Sequence, residues 1–138
     1  MYLLDTNSLD LLLAGDEAVL RRVEQHTGAV HSSSIAAEEK VTGRLNIINK
    51  ARGPRTSLSL AQAHEDFVQT IRDLQLLPIL TFSEEVDEVF RSLPASAIRK
   101  GAQDARIAAQ ALTHGLTVVT RNLRDFEAIG APCEDWIR

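Results

Sequence analysis

Short apolar runs of strand character and longer stretches of helical spacing take turns along this chain. Tyr2-Leu3-Leu4 is a compact apolar run ended by Asp5, the pattern of a buried strand. Over residues 16–26, Val19, Leu20 and Val23 share one helical face, and Thr27-Gly28 stops the helix that returns the chain after the opening strand. Residues 29–32 predict a second strand, after which Ser33 and Ser34 put hydroxyls at the mouth of a helix running from Ile35 towards Ala51 and closed by Gly53-Pro54. Between residues 58 and 76, Leu60, Phe67, Val68, Ile71 and Leu74 repeat with a helical period, ahead of a strand over residues 77–80. Ser83-Glu84-Glu85 opens a helix carrying Val86, Val89, Phe90 and Leu93 that ends at Pro94, and residues 102–114 form the next, stopped by Gly115. Thr117-Val118-Val119-Thr120 is the clearest strand, β-branched throughout as a strand covered on both faces requires, and Trp136-Ile137 predicts a closing edge strand. Alternating strands and helices, with no repeat, linker or low-complexity tract, predict an α/β fold: a three-layer α/β/α sandwich around a mostly parallel central sheet.

The 138 residues fit one domain, 1–138, with a core that needs no disulfide or structural metal. A formal net charge of −4 argues against nucleic-acid binding by bulk charge, so any basic face has to be local. Cys133 is the single cysteine, which excludes an internal disulfide framework, and beside Pro132 it suits a small buried position. No charged-then-apolar leader and no long apolar run marks export or membrane insertion, so the expected setting is the reducing cytoplasm, with no membrane partner.

Polar chemistry recurs at the strand exits and helix starts. Ligands of open parallel sheets bind outside the carboxyl ends of the strands, where Asp5-Thr6-Asn7-Ser8 stands. An Asp there also caps the helix that follows, and the spacing admits both roles. Glu39 lies in line with Ile35 and Gly43 rather than with the Val41 stripe, beside Glu38, and spacing does not separate the two glutamates. Gly43 costs a helix interior about 1 kcal/mol relative to Ala, which predicts the close approach of another element. Asp104 borders the apolar stripe of Ile107, Ala108, Ala111 and Leu112 near its helix start, a place the helix dipole also favours for an acid. Thr120-Arg121-Asn122 follows the clearest strand. Carboxylates converging without a cation repel and take up protons, whereas Mg²⁺ takes oxygen ligands and keeps waters. Such an ion polarises a phosphoryl oxygen and makes hydroxide available near neutral pH, the chemistry of phosphodiester hydrolysis. Zinc fits less well, because His26, His31, His64 and His114 are scattered and one cysteine makes no ligand pair; only His31, on a strand, lies near the proposed crevice.

Five stretches together resemble a known family: LLDTN at 3–7, SSIAAEEKVTG at 33–43, QDARIAAQA at 103–111, VVTRNLRDF at 118–126 and EDW at 134–136. In order and spacing they are similar to the PIN-domain ribonucleases, specifically the VapC-type toxins of toxin–antitoxin pairs, over essentially the whole chain. The resemblance implies a Mg²⁺- or Mn²⁺-dependent endoribonuclease, neutralised by a small VapB-type antitoxin, homodimeric, and reaching DNA only through that antitoxin. It matches Asp5, Glu39 and Asp104 to the family acids that hold the ion, and Thr6 and Thr120 to polar residues that position water or phosphate. Asn122 stands where many members carry a fourth acid; it holds a water without adding charge. Asp125, just before Phe126, is the other group near enough in sequence to complete the set, and equally suits a surface turn.

No acid lies between Glu39 and Glu65, while Lys40, Arg44, Lys50, Arg52 and Arg55 do, and Arg99, Lys100, Arg121 and Arg124 extend the basic set. Such a face draws an RNA backbone. With few aromatics in the chain, base stacking is a poor source of specificity, and recognition of RNA shape is the expectation. Two rival readings remain: a PIN-like module with weak catalysis acting in a DNA-binding repressor complex, and an aspartate-based phosphotransferase. The second needs another Asp two residues beyond Asp5, where Asn7 stands.

Overall fold

A computed structural model describes residues 1–137. The strands are β1 (Tyr2–Leu4), β2 (Val30–Ser33), β3 (Ile79–Leu80), β4 (Thr117–Val119) and β5 (Cys133–Glu134). All pair in parallel, in the order β3-β2-β1-β4-β5. The chain builds outward from β1 to β3, then returns to lay β4 against the other side of β1. That reversal makes the gap between β1 and β4 the topological switch point, where crevices form outside the strand ends.

Eight helices cover the sheet among the described residues: α1 (Thr6–Leu13), α2 (Glu17–Gln25), α3 (Ser34–Ala51), α4 (Leu60–Leu74), α5 (Glu84–Ser92), α6 (Ala95–Lys100), α7 (Ala102–His114) and α8 (Leu123–Ile129). Neighbouring strand residues point to opposite faces. Leu3 and Val118 therefore join Ile107, Ala108, Ala111 and Phe126 in one core, while Leu4 and Val119 join Leu9, Val19, Ala36 and Trp136 in the other. Two apolar layers on either side of one sheet give the α/β/α sandwich.

The structure moves two strands and adds three helices. The last strand is Cys133–Glu134, paired Val118↔Cys133 and Val119↔Glu134, rather than Trp136-Ile137. Trp136 is instead a core anchor, 4% exposed, edge-on to Tyr2 with its Nε1 donating to Glu134 Oε1 at 2.7 Å. β3 shortens to two residues, because Pro78 offers only its carbonyl, which accepts from Ser32 N at 2.9 Å. Helices α1, α6 and α8 fill segments the apolar pattern left unassigned. Gly43 has open space where a Cβ would stand, with nothing within 4 Å, so no element approaches it; the glycine leaves a groove beside Thr6, Asp10 and Arg44.

Candidate functional site

The β1 exit sets the first acid. Asp5 N donates to Val119 O at 3.1 Å, which fixes the residue between β1 and β4, and its Oδ1 accepts from Ser8 N at 2.8 Å as the cap of α1. Asp5 is 4% exposed, so the residue that caps the helix is also a buried acid at the β1 exit. Asp104 arrives from the first turn of α7, and its carboxyl is held above the ordinary range by burial and then by the charge of Asp5. Asn122 opposes that rise, its Nδ2 lying 3.4 Å from Asp104 Oδ2. Glu39, on α3, is raised too: burial comes first, a hydrogen bond from Thr6 opposes it, and the charges of Asp104, Asp10 and Glu38 add to it.

The acids thus form a row in which Asp104 feels the charge of Asp5, and Glu39 that of Asp104. Among the described residues, no three His, Cys, Asp or Glu side chains close into one metal-holding group. Around the row, Thr120 is fully buried and its Oγ1 accepts from Asn122 N at 2.9 Å. Asn122 Nδ2 also donates to Asp125 Oδ2 at 2.7 Å, and Lys100 Nζ pairs with Asp125 Oδ1 at 2.5 Å. Lys100 and then Asn122 hold the Asp125 carboxyl below its ordinary value. Asp125 is therefore in the first turn of α8, tied into the cluster through Asn122, and not on a detached surface turn.

A PIN-domain family model matches residues 2–132. The ribonuclease VapC2 of Haemophilus influenzae is 30% identical over 99% of this chain and 98% of its own length. The chain belongs to the PIN-domain family, in its VapC branch. The tRNA(fMet)-specific endonuclease VapC of Salmonella typhimurium is likewise 30% identical, over 98% of this chain and 97% of its own. The crystal structure of DNA-bound VapBC from Salmonella typhimurium has a matching chain at 28% identity and a TM-score of 0.71, covering 98% of this chain and 97% of that one.

In this PIN domain the basic residues fall into two groups. Lys40 pairs with Asp10, Arg121 Nε lies 3.3 Å from Asp135 Oδ2, and Lys100 holds Asp125, so these three already face acids. Arg44 Nε donates to Thr70 Oγ1 at 3.0 Å across the groove beside Glu39, and Arg99 stands exposed at the end of α6. His31 Nδ1 contacts the Tyr2 carbonyl at 3.3 Å within the sheet and takes no part in the acid row. Cys133 is half-buried, its thiol pKa raised by burial.

Sequence reasoning missed Asp10 and Gln110. Asp10 follows Thr6 by one helical turn, the spacing that puts both on one face of α1. Gln110 is fully buried: its Oε1 accepts from Ser33 Oγ, and its Nε2 donates to the carbonyls of Leu80 at 3.1 Å and Thr81 at 3.2 Å. It ties α7, which carries Asp104, to the ends of β2 and β3. A glutamine inside an alanine-rich apolar stripe was the available signal.

Proposed function

We propose that this PIN domain is a divalent-cation-dependent endoribonuclease, the toxin of a toxin–antitoxin pair. The observation that carries the reading is the row of mutually repelling carboxylates at the switch point, with Glu39 and Asp104 both held above the ordinary carboxylate range. A cation relieves that repulsion. An open row suits Mg²⁺ or Mn²⁺, which take one or two carboxylates and retain waters, better than zinc, which wants a closed ligand set. Asp5, Asp104 and Glu39 would hold the ion, which would polarise a phosphoryl oxygen and lower the pKa of water. The protein's own groups do the rest: Asn122 orients Asp104, Thr6 orients Glu39, and Thr120 fixes the Asn122 backbone. Arg44, Arg99 and the basic end of α3 draw the RNA backbone towards the row.

RNA as the substrate class is supported by the names of the two bacterial relatives, and a VapB-type antitoxin by the VapBC complex. The exposed Leu60, Val68 and Ile71 of α4 give a homodimer an apolar surface to cover. Among the described residues no helix is long and apolar enough to cross a membrane. The test is cleavage of single-stranded RNA by wild type, Glu39→Gln and Glu38→Gln in Mg²⁺. Glu39→Gln should lose cleavage while folded by circular dichroism, and Glu38→Gln should keep its turnover rate; the reverse pattern would overturn the assignment. Asn122 in place of a fourth acid favours a second reading, a weakly catalytic partner in a DNA-binding repressor complex. Wild type that binds operator DNA with its antitoxin yet never cuts RNA would select that reading.

A further inference from the structure

A second recess, about 460 Å³ in volume, opens beside the acid row and is lined by Ser34, Ile35, Glu38, Phe82, Gln103 and Arg106. These residues come from the first two turns of α3 and α7 and from the segment after β3, so the recess shares the carboxyl edge of the sheet with Asp5 and Thr120. Two of its lining residues are chain neighbours of the acids. Glu38 adjoins Glu39, Gln103 adjoins Asp104, and Gln103 Nε2 donates to Glu38 Oε1 at 3.4 Å.

Phe82 brings one aromatic ring to the recess, and neighbours hold it in place. Phe82 packs on the core and meets Phe90 edge-on, with centroids 6.2 Å apart. The Arg106 guanidinium lies 4.9 Å from the Phe90 centroid, and its Nη1 donates to Gln103 Oε1 at 2.7 Å. Two of the four phenylalanines of the chain thus gather here, although composition argued against base stacking. Glu38 on the rim repels phosphate and accepts from N–H groups, so the recess suits the base of a nucleotide rather than its backbone.

We propose that this recess takes one unpaired RNA base beside the scissile phosphate, stacked on Phe82 and read by Glu38 and Gln103; the inference rests on the nuclease reading above. Guanine fits it best, because its N1–H and N2–H₂ stand side by side and match the two oxygens of one carboxylate. Phe82 and Glu38 are then specificity-determining residues next to the acids.

The test uses the full chain carrying Asp104→Asn, to bind without cutting, and short single-stranded RNAs with 2-aminopurine at successive positions. One position should lose fluorescence on binding. Phe82→Leu, which keeps the packing and removes the ring, should restore that fluorescence and weaken binding roughly 5- to 150-fold, the range a stacked base gives. Phe82→Tyr should retain both. In the chain with Asp104 intact, Phe82→Leu should raise KM with kcat little changed, and Glu38→Gln should flatten the preference for guanine beside the cut. Equal affinity and unchanged fluorescence in Phe82→Leu would overturn the base recess and leave the nuclease reading standing. RNA that is bound and quenched but never cut by the intact chain would do the opposite, and no RNA binding at all would overturn both.

Discussion

Asp104 concentrates the conflict in this molecule. It sits between Asp5 and Asp125, partly out of water, with one amide hydrogen from Asn122 as relief. Asp104 and Glu39 both bind their proton more tightly folded than unfolded, so in the window between the ordinary and the raised values the native state holds more protons. Stability then falls as pH rises through that window and recovers as pH falls. Asp104→Asn, which removes the charge while keeping the shape, should raise Tm in cation-free buffer at neutral pH and flatten the acid-side gain in stability; a lower Tm would count against repulsion in the row. Because the cation needs the ionised carboxylates, RNA cleavage should climb with pH through the same window, as a pH–rate profile in fixed Mg²⁺ would record. The first acid was legible in sequence because a strand exit is a recognisable address. Glu39 was not separable from Glu38 until the helix phase was known: Glu39 faces Thr6 and Asp104, and Glu38 faces Gln103.

At the scale of elements, legibility followed periodicity. The stripes of α2, α4 and α7 and the β-branched run of β4 have a period long enough to read, and each stands close to where the pattern put it. Helices α6 and α8, six and seven residues long, are too short to show a face, and α1 is an apolar run with little periodicity. Trp136 misled because apolarity alone does not distinguish a strand from an anchor that docks on the sheet. Gly43 misled because its missing side chain leaves a groove instead of admitting a neighbour. Gln110 shows how one polar side chain places an element. Its amide joins α7 to β2 and β3, so Gln110→Leu strands the fully buried Ser33 hydroxyl. Urea unfolding should reveal a loss of roughly 1–3 kcal/mol, the cost of one buried group left unmatched. An unchanged midpoint would mean that water or Ser34 replaces the amide.

For the molecule as a whole, the acid row lies at the one place where the order of strands reverses, with cationic side chains around it. A cation and an RNA backbone would thus each meet the opposite charge on a separate surface. An acidic crevice also attracts arginine, so the antitoxin is expected to lay an Arg or Lys across Asp5, Glu39 and Asp104 and exclude cation and RNA together. A synthetic antitoxin tail peptide should then lower Mn²⁺ affinity as it inhibits cleavage, and inhibition at unchanged Mn²⁺ affinity would point to an allosteric route. The central claim, that Asp5, Asp104 and Glu39 form a divalent-cation site, is tested most directly by the Tm of wild type and Asp104→Asn across a Mn²⁺ titration. Binding to the native state alone stabilises by RT ln(1 + [L]/Kd), so the wild-type Tm should rise steadily with Mn²⁺ while that of Asp104→Asn stays nearly flat. Equal rises in the two proteins would contradict the site.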